Sequence, residues 1–382
     1  MSRKRSIFEE VESPRDSRSA APASGGLIDR HAGARRAVRL WLIVLFAMVA
    51  MMIVVGGLTR LTGSGLSITE WRPVTGALPP MNAQDWAREF DKYREIPQYE
   101  LVNRGMSLAE FKVIYWWEWG HRQLGRAVGL VWAIGFFGFL AMRRMPPGWW
   151  PRLLGLGALG GAQGAIGWWM VASGLDEGMI AVASYRLAVH LGLAFIILGL
   201  IAWYVMQLGR PDSALMQARR AREPRLVGLA TGWIHFAFLQ IVTGALVAGI
   251  DAGRAFPEWP LMAGQILPPN AFVLEPLWRN LFENAGLVQF LHRKLGYLLL
   301  AFGVFVWWRA RRNANRATRG AFAVALAALG AQVVLGIVTV LQAAPWQLAI
   351  AHQALAIALF VAIIRARFHA QYPSVQSVRG RA

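Results

Sequence analysis

Cysteine is missing from all 382 residues of the chain. That excludes disulfides in any outer loop, thiolate-bound metals, iron–sulfur clusters and covalent c-type haem attachment. Acidic side chains are also scarce, 21 against 40 Lys and Arg, and long windows carry almost no charge of either sign. A formal charge of +19 invites a nucleic-acid reading, but such a surface needs contiguous cations, and here the arginines are dealt out between apolar stretches. No nucleic-acid partner is expected.

What is present is apolar material far beyond the needs of one soluble core: 56% of residues are hydrophobic, with 18 Trp. Stretches of about 20 nearly uncharged residues are long enough to cross the hydrocarbon core as helices. They fall at 39–59, 118–141, 153–173, 185–207, 227–250, 286–308, 320–341 and 346–366. The expected fold is an all-α polytopic membrane protein with eight transmembrane helices. Gly160, Gly161, Gly164 and Gly167 are expected to allow close helix packing in lipid.

Arginines set the expected topology. Arg143, Arg144 and Arg152 lie between spans two and three, Arg219, Arg220, Arg222 and Arg225 between four and five, and Arg309, Arg311, Arg312, Arg316 and Arg319 between six and seven. The alternate connections are neutral or acidic, as at Asp176 and Glu177. The positive-inside rule then places both termini and the basic loops in the cytoplasm, and the long connections 60–117 and 251–285 outside. Glu9, Glu10, Glu12 and Asp16 near the start are unlike an acid-poor mitochondrial presequence. The expected location is a bacterial cytoplasmic (inner) membrane.

An internal duplication organises the chain. Gly56, Leu58, Gly65, Glu70 and Trp71 match Gly244, Leu246, Gly253, Glu258 and Trp259, each pair 188 residues apart. Both following loops pass through Leu-Pro-Pro, at Leu78–Pro80 and Leu267–Pro269, and spans two and six share His-Arg-x-Leu-Gly at His121 and His292. Spans three and seven share Ala-Gln-x-x-x-Gly, from Ala162 and Ala331, and spans four and eight carry His190 and His352. Four spans return the chain to its starting side, so the copies are expected to be parallel four-helix bundles. The expected segments are a flexible N-terminus 1–38, a first half 39–207, a basic linker 208–226, a second half 227–368 and a cytoplasmic tail 369–382.

Of the seven histidines, His31 and His369 fall in the polar termini, and His235 stands in the fifth span where the first has Ala47. His235 is read as structural. The other four form one pair per half, each near the outer end of an even-numbered span, the geometry for two axial ligands on one haem in a bundle. Ionisable groups inside a membrane are costly and mark function. Zinc or copper would need more ligands than one histidine pair. Arg122, Arg126 and Arg293 stand beside the histidines and suit haem propionates, or equally headgroups at the bilayer edge.

The halves differ three residues before the first histidine, where Glu118 is replaced by Gln289. Residues i and i+3 share a helix face, so a carboxylate there either relays protons and stabilises developing positive charge, or simply pairs with Arg122. The asymmetry makes the first half the reactive one. The outer segment 72–115 reads either as a cap or partner dock, or as a solvated amphipathic loop.

Together, "GGLTRLTGSGLSITEW", "EWGHRQLGR", "HLGLAF", "FLHRKLG" and "AHQALAI" resemble the haem A synthase family over residues 39–368, in its cysteine-lacking branch of proteobacteria and mitochondria. The resemblance implies oxidation of a methyl group of haem O to the formyl group of haem A, through an alcohol and a hydrated aldehyde. It implies that His121 and His190 flank the substrate haem O, that His292 and His352 ligate a haem b cofactor, and that Glu118 is the catalytic carboxylate. Haem O synthase and cytochrome oxidase assembly factors are the implied partners, with a homo-oligomer compatible. The rival class is a two-haem b-type cytochrome that takes electrons from quinol and makes no product; it leaves the Glu118/Gln289 exchange unexplained.

Overall fold

Eight long helices account for the eight apolar stretches. The computed structural model describes residues 32–175 and 178–375; the segments 1–31 and 376–382, with His31, and the acidic pair Asp176 and Glu177 lie outside the described residues. The helices are α1 Ala32–Leu61, α2 Leu108–Ala141, α3 Trp150–Gly174, α4 Ser184–Leu208, α5 Pro224–Gly249, α6 Ala285–Ala310, α7 Arg316–Leu341 and α8 Trp346–Gln371. All except α3 have the hydropathy of a membrane span, and α3 falls short because it is dense in Gly and Trp. Gly is common in membrane helices and Trp favours their interfaces, so α3 fits a span nonetheless.

Several boundaries moved outward for local reasons. Ser107 and Glu110 form a capping box, so α2 begins at Leu108 rather than at 118. Asn284 and Asn315 cap α6 and α7 through their side chains. Helix α8 runs on to Gln371, so His369 belongs to its last turn and not to a polar tail.

Each half closes into a ring of four helices. In the first, α1 packs on α2 and α4, and α3 on α2 and α4; α5 to α8 repeat the pattern. The halves meet through α1, α4, α5 and α8. Phe195 and Phe360 pack edge to face there at 5.6 Å, Gln353 donates to the Ile53 carbonyl at 2.7 Å, and Arg60 pairs with Asp251 at 2.9 Å. Arg35 on α1 bonds the end of α4 at Gln207, and Arg210 bonds the Tyr372 carbonyl beyond α8, which gathers both described chain ends on one basic side.

The glycine expectation needs correction. Gly160, Gly161 and Gly164 face open space at the lipid-exposed surface. Close packing occurs instead where Gly135 receives the Trp41 ring, Gly157 the Trp132 ring and Gly167 the His190 ring.

On the opposite side, the connection between α1 and α2 is a packed cap rather than a solvated loop. Helix Ala83–Arg94 buries Trp86, Phe90 and Tyr93 against Phe111, Ile114 and Tyr115 of α2, with Leu66 and Val182 completing the cluster. Glu70 and Lys92 pair at 2.9 Å beside it. The hydrogen bond from Lys92 holds the Glu70 carboxyl below its ordinary value, so the pair's contribution is present above the usual carboxylate range and is lost as pH falls through the lowered value. Exposed pairs of this kind contribute well under about 1 kcal/mol, whereas removing a buried Trp costs about 3–5 kcal/mol. The aromatic cluster therefore governs the cap. Trp86→Ala is expected to open residues 72–106 to limited proteolysis in detergent at neutral pH, and Lys92→Ala to leave cleavage nearly unchanged.

Candidate haem sites and the outer carboxylate

Each of the four intramembrane histidines lies against a glycine of the preceding helix. A Cβ added at Gly56 would come within 3.1 Å of His121 Nε2; at Gly167, Gly244 and Gly336 it would lie 2.9, 3.0 and 3.0 Å from Cε1 of His190, His292 and His352. The absent side chain is the seat of the ring. These glycines match between the halves as the histidines do, Gly56 with Gly244 and Gly167 with Gly336.

The shared Ala-Gln-x-x-x-Gly motif now has a physical role. Gln163 Nε2 donates to the His190 carbonyl at 3.0 Å and Gln332 Nε2 to the His352 carbonyl at 3.0 Å, one turn from the seat glycine. Gln240 on α5 does the same for His292 at 2.9 Å, and Thr243 Oγ1 lies 3.1 Å from His292 Nδ1. Neither residue stands out in the sequence pattern, although Gln240-x-x-x-Gly244 repeats the spacing on a third helix.

Glu118 is 2% exposed and held by four donors. Oε2 accepts from Ser67 Oγ and from the Ile68 amide, both at 2.8 Å, and Oε1 from Arg122 Nη2 at 2.6 Å and Nε at 3.1 Å. Arg122 also donates to the carbonyls of Ile68 and Glu70 at 2.8 and 3.0 Å. The pairing with Arg122 that the spacing allows is thus formed, and it ties the segment after α1 onto α2. In the second half the polarity is reversed. Gln289 Nε2 donates to the Phe256 carbonyl at 3.2 Å, and Phe256 stands where the first half has Ile68, whose amide donates to Glu118. Arg293 follows, donating to the same carbonyl at 2.7 Å.

Arg126 is likewise bound to the loop, to the carbonyls of Pro73 and Arg72 at 2.9 Å each. A polar cavity of about 170 Å³ lies there, lined by Glu70, Arg72, Tyr115, Arg122 and Arg126 among others. That holds water or a carboxylate but not a ligand of drug size, which needs roughly 300–1,000 Å³. His235 joins no site: it is exposed on α5, its Nδ1 2.8 Å from the Thr231 carbonyl. Among the described residues no cluster of three or more His, Cys, Asp or Glu could hold a bare metal ion.

Residues 39–364 match the COX15-CtaA family, described as cytochrome oxidase assembly protein. The chain belongs to this family. Similar curated proteins are named haem A synthase: one from Ruegeria pomeroyi is 66% identical, with 100% of both chains covered. Others from Dinoroseobacter shibae and Paracoccus denitrificans are 63% and 62% identical, with 99% or more of each chain covered.

The seat geometry sets an expected outcome. Gly336→Ala forces the His352 ring to shift by tenths of an ångström, and haem content on purification is expected to fall about tenfold, the low end for disturbing a ligand's supports. Gly160→Ala, which meets open space, is expected to leave it unchanged.

Proposed function

We propose that this chain oxidises a methyl group of haem O to the formyl group of haem A in its first half, while a resident haem b occupies the second. The activity is that of its full-length relatives. Assigning one half to each haem rests on a single observation, the exchange of Glu118 for Gln289 on an otherwise repeated frame.

The residues fit both groups. A porphyrin supplies four of six iron ligands, so one histidine pair per half completes the set without further ligands. Facing helices carry each pair, and the glycine behind each ring leaves the room a Cβ would fill. Bound haem b supplies one-electron redox chemistry. His292 and His352 hold it; His121 and His190 hold the substrate.

Glu118 places its carboxyl group one turn from His121 and, through Arg122, fixes the wall of the first site. With four donors on its two oxygens, it is better suited to stabilise positive charge developing on the substrate than to shuttle protons. Arg122 is committed to Glu118 and the loop and Arg126 to the loop and Gln123, so of the three arginines Arg293 is the one left for the anionic edge of a haem. Arg293 Nε is buried without a hydrogen-bond partner among the described residues, which suits a propionate. The basic side faces the cytoplasm of a bacterial inner membrane, haem O synthase hands over substrate, and oxidase assembly factors take the product.

Three measurements test this reading. Haem extracted from the purified protein and identified by chromatography with mass detection should contain haem b together with haem O, its hydroxylated form or haem A. Haem b alone from cells that make haem O would favour an electron-transfer cytochrome. Glu118→Gln, which installs the second-half residue, is expected to keep haem b but slow haem A formation by about 10²-fold or more, and normal turnover would remove the role assigned to Glu118. His292→Ala or His352→Ala should empty the haem b site.

A further inference from the structure

Three of the four histidines share one brace. A glutamine stands four residues before the seat glycine on α3, α5 and α7, and each donates to the carbonyl of its own histidine at 2.9–3.0 Å. Helix α1 breaks the rule, with Met52 four residues before Gly56. Met52 and Gln240 are true counterparts: each is the side chain nearest the position of a Cβ on the matching Gly125 and Gly296.

A second difference falls on the same pair. Thr243 Oγ1 donates to the Gln240 carbonyl at 3.0 Å and so presents its lone pair to His292 Nδ1 at 3.1 Å. Gln240 Nε2 lies at the same nitrogen, also at 3.1 Å, so amide and hydroxyl together hold the ring at Nδ1, and such supports fix a ligand's orientation. Val55 stands at the place of Thr243 in the first half. His121 therefore meets neither amide nor hydroxyl at these two positions, and its ring is turned so that Nε2, not Cε1, is nearest the seat glycine.

The chemistry of the two haems asks for such a difference. A resident cofactor needs ligands that stay, whereas a substrate haem enters and leaves through its ligands at every turnover. We propose that Gln240 and Thr243 are positioning residues that make His292 a permanent axial ligand, and that His121, seated without them, is the exchangeable ligand through which haem O is admitted and haem A released. His190, braced by Gln163, is the fixed partner on the substrate. This rests on the reading that the first half holds substrate and the second haem b.

The test follows haem, not turnover. Full-length protein carrying Thr243→Val, or Gln240→Met with Thr243→Val, is compared with wild type for transfer of haem b to excess apomyoglobin and for carbon monoxide binding to the ferrous form. The variants are expected to lose haem b about tenfold faster or more and to bind carbon monoxide at the second-half haem, with Thr243→Ser restoring wild-type behaviour. Met52→Gln with Val55→Thr should slow release of the first-half haem by a similar factor. Wild-type transfer rates and no carbon monoxide binding in the double variant on α5 would overturn the inference while leaving the two-haem reading intact. Retention of haem b in His292→Ala would overturn that reading itself.

Discussion

Everything at the two sites depends on a ring filling the place of a missing side chain. An imidazole on an even-numbered helix can approach its neighbour closely only where that neighbour has no Cβ, and all four histidines meet this condition. Packing without a Cβ also costs little in lipid, where helices associate through close contact rather than through hydrophobic burial. The seat thus serves two ends: it brings adjacent helices together and holds the ring at a set depth. Glutamines one turn away then anchor the ligand helix by its carbonyl, and the anchor and the seat lie on one face because they are four residues apart.

Duplication explains why these devices recur, and divergence explains what each half does with them. Glu118 and Gln289 perform the same mechanical task, drawing the segment after the preceding helix onto the even-numbered one, yet one accepts from a backbone amide and the other donates to a backbone carbonyl at the matching position. A carboxylate for an amide is therefore more than a charge change, since it engages the N–H of that residue where the glutamine engages the carbonyl, while the carbonyl is held by an arginine in both halves. The aromatic cap follows the same division. A helix with Trp86, Phe90 and Tyr93 covers the N-terminal end of α2, whereas the matching connection between α5 and α6 contributes short turns and the four-residue helix Asn280–Glu283.

Much of this was legible in the sequence because it is periodic or counted. Eight apolar stretches, the 188-residue offset and four histidines at matching places outline the two bundles and pair the histidines by half without reference to any contact. What escaped was whatever depends on the direction a side chain takes. Gly160, Gly161 and Gly164 look like a packing stripe, but of that run only Gly167 has a neighbour's atoms within 4 Å of where a Cβ would stand, and spacing alone does not tell how closely the next helix approaches. The partners of Glu118, Ser67 and Ile68, come from an irregular loop whose path no periodicity encodes. Gln240 was hidden for a different reason: its counterpart is Met52, and a repeat that has lost one member is not seen as a repeat.

The contact between halves carries the division of labour one step further. Gln353 follows His352 directly and reaches across to the Ile53 carbonyl, less than one turn before Gly56, while Gly57 leaves the space its amide occupies. At the matching places the other way round stand Leu191 and Ala245, an apolar contact. This polar tie between the halves thus runs from the helix that bears His352 to the helix that seats His121. Because α1 has no glutamine brace of its own for His121, this tie is what fixes the height of its seat. The seat of His121, the one histidine of the four without a local glutamine brace, is thereby held in register by the second bundle.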